Sequence, residues 1–159
     1  MTKFTHNPLL NCTLRTAGLA SVNGAKFGLV RKKPDGTPRA HQGIDLACAT
    51  GYRVYAVEDG VVVDVVKANS GFGWVVTLAC NVGGKPVYPF YAHLSEIRVK
   101  SGQAVKAGDV IGLTGDTGNA AGMDTVAEGS HLHFGLKSRL SAGMGLSGWL
   151  DPLPYVTLK

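Results

Sequence analysis

An all-β, single-domain fold is what this sequence predicts, and three observations carry the prediction. Twenty-two glycines and seven prolines punctuate 159 residues, which implies many turns. Short runs of β-branched and aromatic residues recur between those turns. No stretch of about a dozen residues carries a helical apolar stripe. The length suits one domain, and 45% apolar against 17% charged residues supports a core and excludes a disordered chain.

Taken in order, residues 1–26 show no firm periodicity and read as a short N-terminal extension packed on the domain. They contain at best a short helix over Pro8 to Leu19. The domain proper occupies 27–159. Strands are expected over Val54–Val57, Val61–Val66, Trp74–Cys80 and Val87–His93. Asp59-Gly60, the Ser70–Gly73 stretch and Gly83-Gly84 supply the turns between them. Gln103–Gly112 gives two short strands around the Gly108-Asp109 turn, and His131–Leu136 gives another. There is no internal repeat. Asn7, Pro8, Asn11 and Arg15 interrupt the first twenty residues, so neither a Sec signal peptide nor a membrane-spanning helix is expected.

Sixteen Lys plus Arg against eleven Asp plus Glu give a formal charge of +5. The basic residues are scattered, Arg31-Lys32-Lys33 being the one run, and aromatics are not interleaved with them. A nucleic-acid groove is therefore not expected, while a mild positive field favours an anionic polymer such as a cell wall. Cys12, Cys48 and Cys80 lack Cys-x-x-Cys spacing, which argues against a cysteine-based zinc site. One disulfide and three reduced, partly buried thiols both fit.

The chemistry lies in the histidines. In an extended segment, residues i, i+2 and i+4 share a face. His41, Gly43 and Asp45 would then point together, with Ile44 and Leu46 towards the core and Gly43 leaving room for an ion. His131 and His133 share a face in the same way, with Leu132 and Phe134 behind them. Two imidazoles and a carboxylate suit Zn²⁺, and a catalytic zinc site keeps three protein ligands and an open position. A single histidine on a strand is ordinarily a surface group or a hydrogen-bonded core group. Two such patterns in a chain with five histidines are what single out a site. His6 has no such company and reads as an exposed N-terminal residue.

These residues resemble the lysostaphin/LytM-type zinc peptidoglycan endopeptidases. The likeness runs from Phe27-Gly28 to Asp151-Pro152 and is carried, in order, by five stretches. They are His41–Leu46, Ala49–Val62, Tyr91–Ser95, Gly102–Gly112 and His131–Phe134. The resemblance implies antiparallel sheets forming a groove with zinc at its floor. It implies His41, Asp45 and His133 as ligands, with His93 and His131 as catalytic residues. Two departures stand out. The run into the His-Leu-His motif is stretched over Gly118–Ser130, and Gly135 stands where an acidic residue is common.

The expected reaction is hydrolysis of a peptide bond in peptidoglycan stem or cross-bridge peptides. His131 is the candidate general base, and His93 the donor to the oxyanion or the leaving amine. A non-catalytic binding or activator module on the same fold is the alternative, and it predicts loss of one of the five groups. A biotinyl, lipoyl or phosphohistidine carrier is a weaker competitor, because Lys106 lies outside a carrier hairpin motif and such carriers need no metal triad. The expected setting is the bacterial periplasm or cell wall. It would be reached by a non-Sec route, by lysis, or as a mature fragment. The protein would be a monomer, with an immunity or inhibitor protein as partner if it is an effector.

Overall fold

The computed structural model describes residues 2–159; Met1, the first residue of the expected extension, lies outside the described residues. Eleven strands are present: β1 (Gly28–Lys32), β2 (Pro38–His41), β3 (Ile44–Ala47), β4 (Arg53–Tyr55), β5 (Gly60–Lys67), β6 (Trp74–Val82), β7 (Lys85–Ile97), β8 (Ala104–Val105), β9 (Val110–Thr114), β10 (His131–Lys137) and β11 (Trp149–Leu150). Only short 3₁₀ turns accompany them among the described residues. The all-β expectation holds. The hairpin β1–β2 and the short β11 carry too little alternation to have been legible.

Strands β1 and β2 form a separate two-stranded sheet, and the rest share one antiparallel sheet in the order β11-β10-β7-β6-β5-β8. β3 pairs with β10, and β9 pairs with both β4 and β7. The two strands flanking Gly108-Asp109 thus pair with different partners: β8 joins β5, while β9 joins β4 and β7. The thirteen-residue β7 is the spine, lying between β6 and β10.

Alternation along β3 and β10 divides the molecule. Ile44 and Leu46 on β3, and Leu132, Phe134 and Leu136 on β10, are fully buried in the main core with Tyr91 of β7. Asp45, His131 and His133 take the other face of the same strands. That face carries a small apolar cluster of Val75, Phe90, Ala92 and Trp149. The fold thereby supplies a dry backing for polar groups while keeping them out of the main core.

No helix forms over Pro8 to Leu19. The segment bends at either end, and residues 13–15 lie along the outer edge of β3, where the Arg15 amide donates to the Asp45 carbonyl at 2.9 Å and the Ala47 amide to the Thr13 carbonyl at 2.8 Å. Without an amphipathic stripe, the segment gains more by satisfying that strand edge than by an isolated helix. Phe4, Leu9 and Cys12 enter the main core, Phe4 packing edge-on to Phe134 with ring centroids 5.8 Å apart. His6 is not exposed as expected. It is half-buried against Tyr55, 4.9 Å between ring centroids.

Candidate metal centre

Asp45 and His133 are direct cross-strand partners on β3 and β10, so their side chains rise together from the sheet. His41 ends β2, and the chain bends at Gln42-Gly43 before β3 begins. The segment is therefore not one extended run; His41 and Asp45 converge across a bend. A Cβ on Gly43 would lie 2.5 Å from the Phe134 carbonyl oxygen and 2.9 Å from His133 Nε2. The glycine is thus required by the backbone and ring of β10.

Asp45 Oδ1 lies 3.0 Å from His41 Nε2 and 3.1 Å from His133 Nδ1. The donor atoms of these three buried residues all fall within 4.8 Å of one another. His41 Nδ1 is 2.8 Å from the Lys26 carbonyl, which can only accept, so Nδ1 carries the proton. In neutral His41 the Nε2 lone pair then faces a carboxylate oxygen. Such a contact is repulsive unless a cation lies between them, whether a proton or a metal. Bonds of 2.0–2.1 Å to a tetrahedral ion place neighbouring ligand atoms roughly 3.3 Å apart, close to the spacing seen. The residues fit a zinc-type ion.

The other carboxylate oxygen is held by arginines. Asp45 Oδ2 accepts from Arg31 Nη2 at 2.6 Å and Arg15 Nη1 at 3.2 Å. Burial pushes the Asp45 carboxyl up, but the close side chains of His133 and His41 and the nearby His131 outweigh it and hold the group well below the ordinary range. Neither arginine stood out in the sequence. Arg15 sits thirty positions from Asp45 in a segment without pattern, and Arg31 belongs to a run that reads as a solvated charge cluster.

His131 follows on β10, its Nε2 3.6 Å from Asp45 Oδ2 and its Nδ1 tied to the Gly129 carbonyl at 2.8 Å. His93 arrives differently. Ala92 is the cross-strand partner of His133, so regular alternation would turn His93 to the core side with Tyr91. Instead His93 adopts φ +60° at a register break in β7, and its ring swings into the cleft. That left-handed conformation is uncommon for a residue with a Cβ. It is held by the His93 amide donating to the Phe72 carbonyl at 2.8 Å and by Nδ1 donating to the Thr117 carbonyl at 2.7 Å. The His93 and His131 rings stand 5.1 Å apart. Burial drives the pKa values of His93, His131 and His133 down to about 4, leaving all three neutral near pH 7.

A cleft of about 670 Å³ opens over these groups, with Phe72, Asn119 and Met123 on its rim. The stretched loop therefore borders the site. It is stitched internally by a reciprocal Thr125–Glu128 cap and by the Gly122 amide bound to Asp116. Gly135 also has a physical reason: a Cβ there would meet Trp149 at 2.8 Å and the Gln42 carbonyl at 2.9 Å, so no acidic side chain fits. Cys48 faces away, its thiol against Thr114 Oγ1, and all three cysteines are free.

A two-imidazole, one-carboxylate set at the floor of a sheet-backed cleft, flanked by two more histidines with inward lone pairs, defines a metal-site domain of the metallohydrolase type. The chain belongs to peptidase family M23, whose family model matches residues 39–143. It is 34% identical over 116 residues to the glycyl-glycine endopeptidase ALE-1 of Staphylococcus capitis, covering 73% of this chain and 29% of that protein. It is 38% identical over 96 residues to the peptidoglycan DD-endopeptidase ShyA of Vibrio cholerae, covering 60% and 20%. A solved zinc-containing peptidase from Vibrio cholerae superposes with TM-score 0.66 at 28% identity, covering 99% of this chain and 41% of that one. The chain spans about a fifth to three tenths of the length of these curated relatives.

Proposed function

We propose that this chain is a zinc-dependent endopeptidase that hydrolyses peptide bonds in peptidoglycan, with His41, Asp45 and His133 as ligands and His93 and His131 as catalytic residues. The observation that carries the reading is the contact of His41 Nε2, left with its lone pair by the Lys26 carbonyl, with a buried carboxylate that His133 also faces. Zinc bound there supplies a Lewis acid that acidifies water and polarises a carbonyl. Family membership and the two endopeptidase relatives support the reaction class. Those relatives are named as a glycyl-glycine endopeptidase and a peptidoglycan DD-endopeptidase. The setting that follows is the periplasm or cell wall. No helix among the described residues is long and apolar enough to cross a membrane.

The chain's own residues divide the proton work. Neutral His131 presents Nε2 as an acceptor, because Nδ1 is committed to Gly129, and it takes the proton of the attacking water. The resulting imidazolium is stabilised by Asp45 Oδ2 at 3.6 Å. His93 likewise presents an acceptor nitrogen, because its Nδ1 is committed to Thr117. It can donate to an oxyanion or leaving amine only after gaining a second proton. Its ring, 5.1 Å from that of His131, is placed to share one proton across the two steps.

The test is metal analysis combined with mass spectrometry of muropeptides before and after digestion. Close to one zinc per chain and new peptide termini are expected. A metal-free protein at neutral pH sinks the reading. A zinc-loaded protein that cuts no wall favours the binding or activator module.

A further inference from the structure

Arg15, Arg31 and Arg39 all line the cleft, against Asp45 as the one carboxylate among its lining residues. Arg15 is buried, with Nε spent on the Ala17 carbonyl and Nη1 on Asp45 Oδ2. Arg31 spends Nε on the Gly24 carbonyl and Nη2 on the same Oδ2. A single negative charge is thus shared by two guanidinium groups before any metal arrives. Arg39 is the direct cross-strand partner of Arg31 in the β1–β2 hairpin. Among the described residues Arg39 makes no side-chain hydrogen bond and no ion pair. Like charges directly opposite in an antiparallel pair repel, and while Asp45 offsets Arg31, no carboxylate among the cleft's lining residues is paired with Arg39.

Among its arginines and Asp45, the cleft therefore holds two positive charges more than its own carboxylate neutralises. We infer that it is built for a peptide carrying a free carboxylate beside the scissile bond. Arg39 receives that carboxylate together with the uncommitted Nη1 edge of Arg31. This deepens the endopeptidase reading and rests on it. A guanidinium fork matches a carboxylate in two parallel hydrogen bonds, whereas a run of uncharged glycines offers no partner for it. Arg39 is then a specificity residue: exposed, on the hairpin, and outside the metal set.

The probes are two fluorescently labelled cross-linked stem-peptide dimers, identical except that one has its free carboxylates amidated. Binding is read by anisotropy on chelator-treated protein, and cleavage on the zinc-loaded protein. The carboxylate dimer should bind roughly 10-fold or more tighter than the amide, the usual worth of a charge-assisted bond, and the gap should narrow with added salt. In Arg39→Gln the ratio of the two Kd values should fall to about one, with zinc content and melting temperature retained. Equal binding of the two dimers by the unsubstituted protein overturns the inference, as does an undiminished ratio in Arg39→Gln. If neither dimer is cut while the Arg39-dependent preference persists, the anion site stands and the endopeptidase reading fails.

Discussion

Asp45 and His133 reach the cleft floor from two strands in direct register, whereas His93 reaches the same cleft from a break in β7 with a left-handed backbone. The floor is positioned by the sheet ladder, with Leu132, Phe134, Ile44 and Leu46 packed behind it. The wall rings are oriented by loops: Thr117 and Phe72 hold His93, and the Gly129 carbonyl orients the ring of His131, whose backbone is still in the ladder opposite Ala47. The difference is one of rigidity. Floor groups can shift only if the core moves, while wall groups depend on a few hydrogen bonds to the 116–130 segment.

Substitutions at floor and wall should separate on this basis. His133→Ala leaves His41 and Asp45 alone with the ion, so zinc, activity and the stabilisation that bound metal gives should all be lost. His131→Ala and His93→Ala should keep zinc and fold while turnover drops roughly 10²–10⁴, the worth of a positioned proton-transfer group. Zinc stoichiometry and wall hydrolysis on the three variants side by side decide it. If His93→Ala releases the metal and His133→Ala does not, the division is wrong.

A subtler probe is Thr117. Its hydroxyl accepts from the Trp74 amide at 3.0 Å and donates to the Leu94 carbonyl at 2.8 Å, which fixes the carbonyl that orients His93. Thr117→Val should lower turnover about tenfold and stability by about 1–3 kcal/mol through the two groups left unpaired, with zinc retained. Thr117→Ser should restore both. Turnover unchanged in Thr117→Val would show that His93 needs no such anchor.

Acid sharpens the comparison in the metal-free protein. His93, His131 and His133 have folded pKa values near 4, below the ordinary 6.5. Between those limits the unfolded chain binds more protons, so stability should fall as pH drops from about 6.5 to about 4 and change little with these groups below that. Zinc should deepen this loss, because protonation also expels the ligands. Melting temperatures of metal-free and zinc-loaded protein across this range provide the check. A flat metal-free profile would mean the three rings are not buried neutral. The smallest effect is expected at Cys48→Ala, about 1 kcal/mol of packing with zinc unchanged, read by chemical denaturation and metal analysis.

By itself the sequence determined the fold class, the strand spine from Val54 to Leu136, and the five residues that converge. For His41, Asp45, His131 and His133 it could do so because strand alternation and the His-x-x-x-Asp and His-x-His spacings are local properties that survive in one dimension, whereas His93 came from the family resemblance alone. Only the tertiary structure decided how those residues are held. Alternation alone turns His93 towards the core, and a register break set by β6 and β9 turns it out. Gly43 looks like space for an ion and proves to be space for β10. Arg15 and Arg31 on Asp45, and Arg39 opposite Arg31, are long-range pairings with no periodic signature. The physical reason is common to all of them. Side-chain direction within a strand is encoded by neighbours two residues away, but charge balance and backbone breaks are fixed by elements that meet only when the sheet closes.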